Sequence, residues 1–308
     1  MNSNKLMQIG LWLTIANVLS GLLGYVYQIL MGRMLVPTDF ALFSAITALI
    51  MIFGAPLSAL SLLVSRRVSN LSAQKGPLLL LRSFYYRTNM IVSFILLVLI
   101  GVFTFYIEKV LSYLKSDDLS PLVIFIFAIT VSAFLVVNNA FFHGRKMFGL
   151  LSVANLLLNL IKIAISCYLV YSGFGVAGAI SGLLFATIII WCIGWLITIR
   201  SLPIDGVSIE VNTEPFPFQT ILPVLVATTA FALMTQLDMI FVKHFFSSDE
   251  AGMYASVSVL GKAILYLPGG IVLALFPFVS ENDANGKSSA NILIQSLMIT
   301  FGLCGSVA

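Results

Sequence analysis

The 308-residue chain is predicted to fold as an all-α polytopic membrane protein of about eight or nine transmembrane helices, with no soluble domain able to fold on its own. Two observations predict this. Hydrophobic residues make up 60% of the chain and charged residues only 9%, with a mean hydropathy of +1.07, whereas soluble domains carry about 25% charged residues. In addition, apolar runs of about 20 residues, the length a helix needs to cross the hydrocarbon layer, recur along the whole sequence.

Reading those runs in order gives spans at 8–31, 41–64, 90–107, 121–142, 150–171, 176–199, 219–241 and 253–279, with a ninth from near Asn291 to Ala308. The first run is too long for the apolar core of a signal peptide and lacks a small-residue cleavage site, so it is read as a retained span. The longer connections, Ser65 to Asn89 and Arg200 to Phe218, carry no pattern capable of making a domain. Cys167, Cys192 and Cys304 fall inside apolar runs without paired or metal-ligand spacing, so they read as packing residues and no metal or other cofactor is expected.

Lys and Arg set the orientation, because they are retained on the cytoplasmic side. With the N-terminus inside, ten of the sixteen basic residues fall on cytoplasmic segments, including Arg66, Arg67, Arg82, Arg87, Arg145 and Lys146. Four fall outside, Arg33, Lys109, Lys115 and Lys243, and the remaining two, Lys162 and Lys262, lie within spans. The net charge of +4 is therefore assigned to topology and lipid head groups, with no nucleic-acid partner.

Polar residues inside spans are informative, since hydrocarbon tolerates them mainly where they face another helix or a watery cavity. In the fifth span Ser152, Asn155, Asn159, Lys162 and Ser166 share one helix face. Lys162 sits mid-span, where a lysine costs on the order of 3 kcal/mol on insertion scales unless water or a partner solvates it. Span one has Thr14, Asn17, Gly21, Gly24 and Gln28 at the same alternation, and span two a run of small and hydroxyl residues from Ser44 to Ser65; helix-packing seams explain such stripes equally well. Span eight holds Lys262 with Ser258 and Tyr266 on its face, and Asp238 lies toward the far end of span seven. Two arrangements are open there: an ion pair of Asp238 with Lys262 or Lys243, or a cavity with a net positive lining suited to an anionic ligand.

The segments GRMLVPTDFALFSA (32–45) and KHFFSSDEAGMYAS (243–256) are related by a shift of 211 residues, each joining two spans. Six spans separate the copies, which implies parallel halves related by an axis along the membrane normal. The expected organisation is a six-helix lobe at 1–200, a cytoplasmic inter-lobe linker at 201–218, and the start of a second, incomplete lobe at 219–308.

These two segments, the basic SRRVS after span two, and the stretch from Asp238 to Ser280 containing GMYASVSVLGKAILYLPGG and FPFVS resemble the polysaccharide-transporter branch of the multidrug/oligosaccharidyl-lipid/polysaccharide exporter superfamily, which includes Wzx-type O-antigen flippases. The resemblance implies two lobes around a central cavity that opens alternately to each side of the bacterial cytoplasmic membrane. It implies transport rather than enzymatic chemistry, and a lipid-linked oligosaccharide substrate on undecaprenyl pyrophosphate. Polysaccharide polymerase and glycosyltransferases are the implied partners, beside the membrane lipids. Since the family has twelve to fourteen spans, C-terminal truncation is expected.

On this reading Lys162 and Lys262 contact the anionic head group, while Asn155, Asn159, Asn17 and Gln28 hydrogen-bond sugar hydroxyls and Asp238 lies beside them. Arg33 and Lys243, at matching ends of spans one and seven, attract the anion or anchor helices at the head groups. The alternatives are a cation-coupled multidrug exporter of the same superfamily, a membrane-embedded enzyme, for which the isolated His143 and His244 offer little, and a non-transporting scaffold of polysaccharide assembly.

Overall fold

The computed structural model describes residues 3–73, 78–202, 218–262, 294–298 and 301–302. Seven long helices run in chain order: α1 (Ser3–Met34), α2 (Pro37–Ala73), α3 (Leu78–Tyr113), α4 (Ser120–Gly144), α5 (Phe148–Leu169), α6 (Gly175–Arg200) and α7 (Phe218–Phe245). An eighth, α8, covers 248–262. No strand occurs among the described residues.

The apolar stretch Phe148–Arg200 is 53 residues long, or about 80 Å as a continuous helix against about 30 Å of hydrocarbon. It folds back at a wide turn, Val170–Phe174, where Gly173 (φ 92°) and Gly175 (φ 49°) take left-handed backbone that side-chain-bearing residues rarely adopt. Seven of the expected spans are thus observed as α1 to α7. Residues 263–279 of the eighth, most of the ninth, residues 203–217 of the linker, and Tyr266 lie outside the described residues.

Successive helices alternate in direction, so the α1–α2, α3–α4, α5–α6 and α7–α8 turns gather at one end of the bundle, here the distal end. The largest packing surfaces join α2 to α4 and α7, α5 to α6, α4 to α6, and α1 to α5. Two buried clusters divide the interior. The first, with Met31, Phe43, Ile46, Phe125 and Ile180, includes Met239 and Ile240 of α7 and Ala251 and Ala255 of α8. The second, built from Val64, Val68, Tyr85, Val137 and Phe141, includes no residue of α7 or α8. Among the described residues α7 joins the first cluster through its distal half; it shares one of the largest packing surfaces with α2, with Ala232 buried and Leu222, Val226, Phe231 and Met234 exposed on its other side.

The connection expected from Ser65 to Asn89 is largely helical: α2 continues to Ala73 and α3 begins at Leu78. Both helices run beyond the bilayer thickness, at about 55 Å each. Val64 and Val68 of α2 are one turn apart, as are Leu81 and Tyr85 of α3, and both pairs are buried in the second cluster. This i, i+4 apolar face pays for helix outside the bilayer, where a search for uniformly apolar runs stops at the first arginine.

The 211-residue repeat is visible in the backbone. α1 ends at Met34 and α7 at Phe245, and α2 begins at Pro37 and α8 at 248. The turn hydrogen bonds correspond too: Leu35 N–H to Met31 O (2.9 Å) matches Phe246 N–H to Val242 O (3.1 Å), and Phe40 N–H to Val36 O matches Ala251 N–H to Ser247 O, both 2.9 Å.

Candidate functional site

The polar stripe of α5 divides into two parts. Ser166 is buried and donates to the Ala179 carbonyl of α6 at 2.8 Å. A Cβ at Gly182 would come within 2.0 Å of the Ser166 hydroxyl, so this end of the stripe is a close-packed seam. One turn earlier the stripe is half-buried and faces α1. Lys162 Nζ donates to Asn159 Oδ1 at 2.9 Å, and the Asn159 amide donates to the Asn155 carbonyl at 3.0 Å. The ammonium also lies 4.6 Å from the centroid of the Tyr27 ring. Among the described residues no carboxylate pairs with Lys162. A cation within an apolar helix is therefore met by two neutral groups.

Asn17 and Gln28 are half-buried on α1, but neither bonds to the Lys162 group. Gly21, Gly24 and Gly54 have open space where a Cβ would stand, so close packing does not explain these glycines. Tyr27, absent from the sequence-derived stripe, is the residue that meets Lys162. It belongs to the buried face of α1 with Ala16 and Met31. Its sequence signal is an aromatic with a polar tip on an apolar face toward the far end of span one, which needs a partner when buried.

Lys262 stands in the opposite electrostatic state. Its Nζ lies 3.0 Å from Asp238 Oδ1 and 3.4 Å from Gln236 Oε1, while Asp238 Oδ2 accepts from the Tyr254 hydroxyl at 2.8 Å. Of the two arrangements left open by the sequence, the ion pair is the one adopted here, and it removes Lys262 from any free positive lining. Lys243 takes no part in it: the residue is buried and donates to the Ser248 hydroxyl at 3.0 Å. Arg33, its expected counterpart, is exposed. The repeat matches their backbone positions and leaves their surroundings different.

Distally, the turns close on one another. The Tyr113 and His244 rings stack with centroids 3.7 Å apart and planes 6° apart. His244 Nδ1 meets the Tyr113 carbonyl at 3.0 Å, which requires its proton on that nitrogen. Lys115 donates to the Phe246 carbonyl at 3.0 Å. Gly252 lets α8 touch the α1–α2 turn, since a Cβ there would be 2.2 Å from the Pro37 carbonyl oxygen. A pocket of about 450 Å³ remains between the turns, lined by Asp39, Lys115, Asp117, Asp118, Lys243 and Ser248 among others. Ser247 and Glu250 cap α8 reciprocally: Ser247 donates to the Glu250 carboxylate through its N–H (3.0 Å) and its hydroxyl (2.7 Å), and that hydroxyl accepts from the Glu250 N–H (3.3 Å). These bonds hold the Glu250 carboxyl below its ordinary range.

An antiparallel bundle of bilayer-length helices, closed at one end and with a half-buried cation among them, is the architecture of a polytopic membrane protein. The chain belongs to the polysaccharide biosynthesis protein family, whose model matches residues 6–283. Its fold is shared with a MOP superfamily transporter from Pyrococcus furiosus, described as having a binding pocket of reverse polarity that suggests a different function. The two are 15% identical with a TM-score of 0.51, over 87% of this chain and 68% of that one. A multidrug resistance MATE family transporter of the same superfamily, solved in an outward-facing conformation, is 14% identical with a TM-score of 0.52, over 97% of this chain and 77% of that one. No match was found among curated protein sequences.

Proposed function

We propose that the chain flips an undecaprenyl-pyrophosphate-linked oligosaccharide across the bacterial cytoplasmic membrane, for O-antigen, lipopolysaccharide or related surface-polysaccharide synthesis. Two lobes, 1–200 and the one beginning at 219, joined by a cytoplasmic linker at 201–218, would alternate access to the cavity between them. The observation that carries the reading is Lys162, an ammonium with no carboxylate partner among the described residues, inside an apolar membrane-length helix. Burying such a charge costs on the order of 3 kcal/mol, and a pyrophosphate entering the cavity would offset it with a charge-assisted bond. Asn155 and Asn159 would meet sugar hydroxyls beside it. Family membership supports the polysaccharide class of cargo, and the fold supports movement across the bilayer rather than chemistry on it.

With the N-terminus cytoplasmic, the closed distal end would be the outer one, and the cargo would be loaded from the cytoplasmic leaflet. A cation-coupled exporter of cationic drugs is less well supported, because Asp238 is engaged by Lys262 and Tyr254 and is not free to bind a cationic cargo. Replacing Lys162 by Ala is expected to abolish rescue of surface polysaccharide in a flippase-deficient strain while protein levels stay unchanged. Full rescue would remove Lys162 from the mechanism.

A further inference from the structure

We propose that Tyr27 is the residue that positions the Lys162 ammonium and reserves it for an anion, holding the cation against a neutral ring where a carboxylate would have cancelled it. The proposal rests on the anionic-cargo reading of Lys162 and adds the residue that decides charge selectivity at that site.

Tyr27 is fixed from three sides. Its side chain is 6% exposed, its hydroxyl donates to the Ala179 carbonyl of α6 at 2.9 Å, and its ring meets Phe43 of α2 edge-on at 5.7 Å. The Ala179 carbonyl also accepts from Ser166, one turn beyond Lys162 on α5. Four helices therefore set the plane of the ring over which the ammonium sits.

The electrostatics of that contact are specific. A ring face attracts a cation through its quadrupole but carries no net charge. An ammonium has three donors, of which Asn159 takes one. The remaining donors and the whole charge stay available to an incoming phosphate oxygen, in a geometry already set before it arrives. Lys262 is the internal contrast: with Asp238 against it, an arriving anion would have to displace a carboxylate. Tyr27 and Asp238 thus make one lysine receptive and leave the other satisfied.

The test uses the full chain in nanodiscs of zwitterionic lipid, with calorimetric titration of geranylgeranyl pyrophosphate and, as the uncharged comparator, geranylgeraniol. Y27L is expected to weaken pyrophosphate binding by about five- to thirtyfold, the range of a desolvated cation–π contact, and to leave alcohol binding unchanged. Y27F keeps the ring face and is expected to remain within about twofold of the wild type. Should Y27L fail to fold, Y27M fills the same space with an adaptable side chain and is expected to show the same selective loss.

Wild-type pyrophosphate affinity in Y27L would overturn the proposal. So would equal losses for pyrophosphate and alcohol, the mark of a packing defect, or a loss in Y27F matching that in Y27L. K162A separates the two levels of inference. If K162A loses pyrophosphate binding and Y27L does not, only the role of Tyr27 falls; if K162A binds like the wild type, the anionic-cargo reading falls with it.

Discussion

Substituting Gly252 with Ala is expected to open the distal end. The new Cβ would stand 2.2 Å from the Pro37 carbonyl oxygen and 2.7 Å from its carbonyl carbon. Real Cβ contacts do not fall below 3.0 Å, so the turn must retreat by at least the difference, 0.8 Å. Both obstructing atoms are backbone, and no side chain can swing aside. Overpacking of this kind costs about 1–3 kcal/mol, and here the cost falls on the closed state alone. The ratio of open to closed molecules should therefore rise by about five- to 150-fold. The readout is labelling of a cysteine at Met239, which is 2% exposed in the closed end, by a membrane-impermeant maleimide, in a chain whose Cys167, Cys192 and Cys304 are replaced. Labelling should accelerate in G252A and stay at the wild-type rate in G261A, because a Cβ at Gly261 meets nothing within 4 Å. A wild-type rate in a folded G252A protein would refute closure through the turn contact.

The Asp238 and Lys262 pair should behave as a coupled unit. D238A and K262A each leave a partner charge inside the bundle, so the double variant is expected to unfold at a higher temperature than the single variants predict, with a coupling of about 1 kcal/mol; simple additivity would show that the pair contributes nothing. The Glu250 cap gives a pH dependence whose sign is fixed by its lowered pKa: its stabilisation is present above the ordinary glutamate range and is lost as pH falls through the folded value. The melting-temperature gap between wild type and E250A should accordingly narrow below pH about 4, and a constant gap down to pH 3 would place the stabilisation elsewhere.

Much of the fold was legible because a bilayer imposes a simple rule on sequence. Seven spans could be read as apolar runs, and the 211-residue shift placed the α7–α8 turn in register with α1–α2 despite low identity. The helical extensions of α2 and α3 were missed for the same reason: they lie outside the hydrocarbon and follow an amphipathic pattern. In the candidate site, the α5 stripe correctly put Lys162, Asn159 and Ser166 on one face. It could not distinguish the seam at Ser166 from the half-buried cation at Lys162, since that depends on whether Gly182 or Tyr27 lies opposite.

Sequence alone determined that the chain is an α-helical membrane protein with a lysine inside an apolar span, because the energy of burying charge and backbone in hydrocarbon depends on local composition and length. Tertiary structure decided which lysine is compensated, which end is closed, and which aromatic faces the cation. Those depend on contacts such as Tyr27 with Lys162, 135 residues apart, and Tyr113 with His244, 131 residues apart, and helix periodicity specifies which face a residue occupies but not the neighbour that face meets.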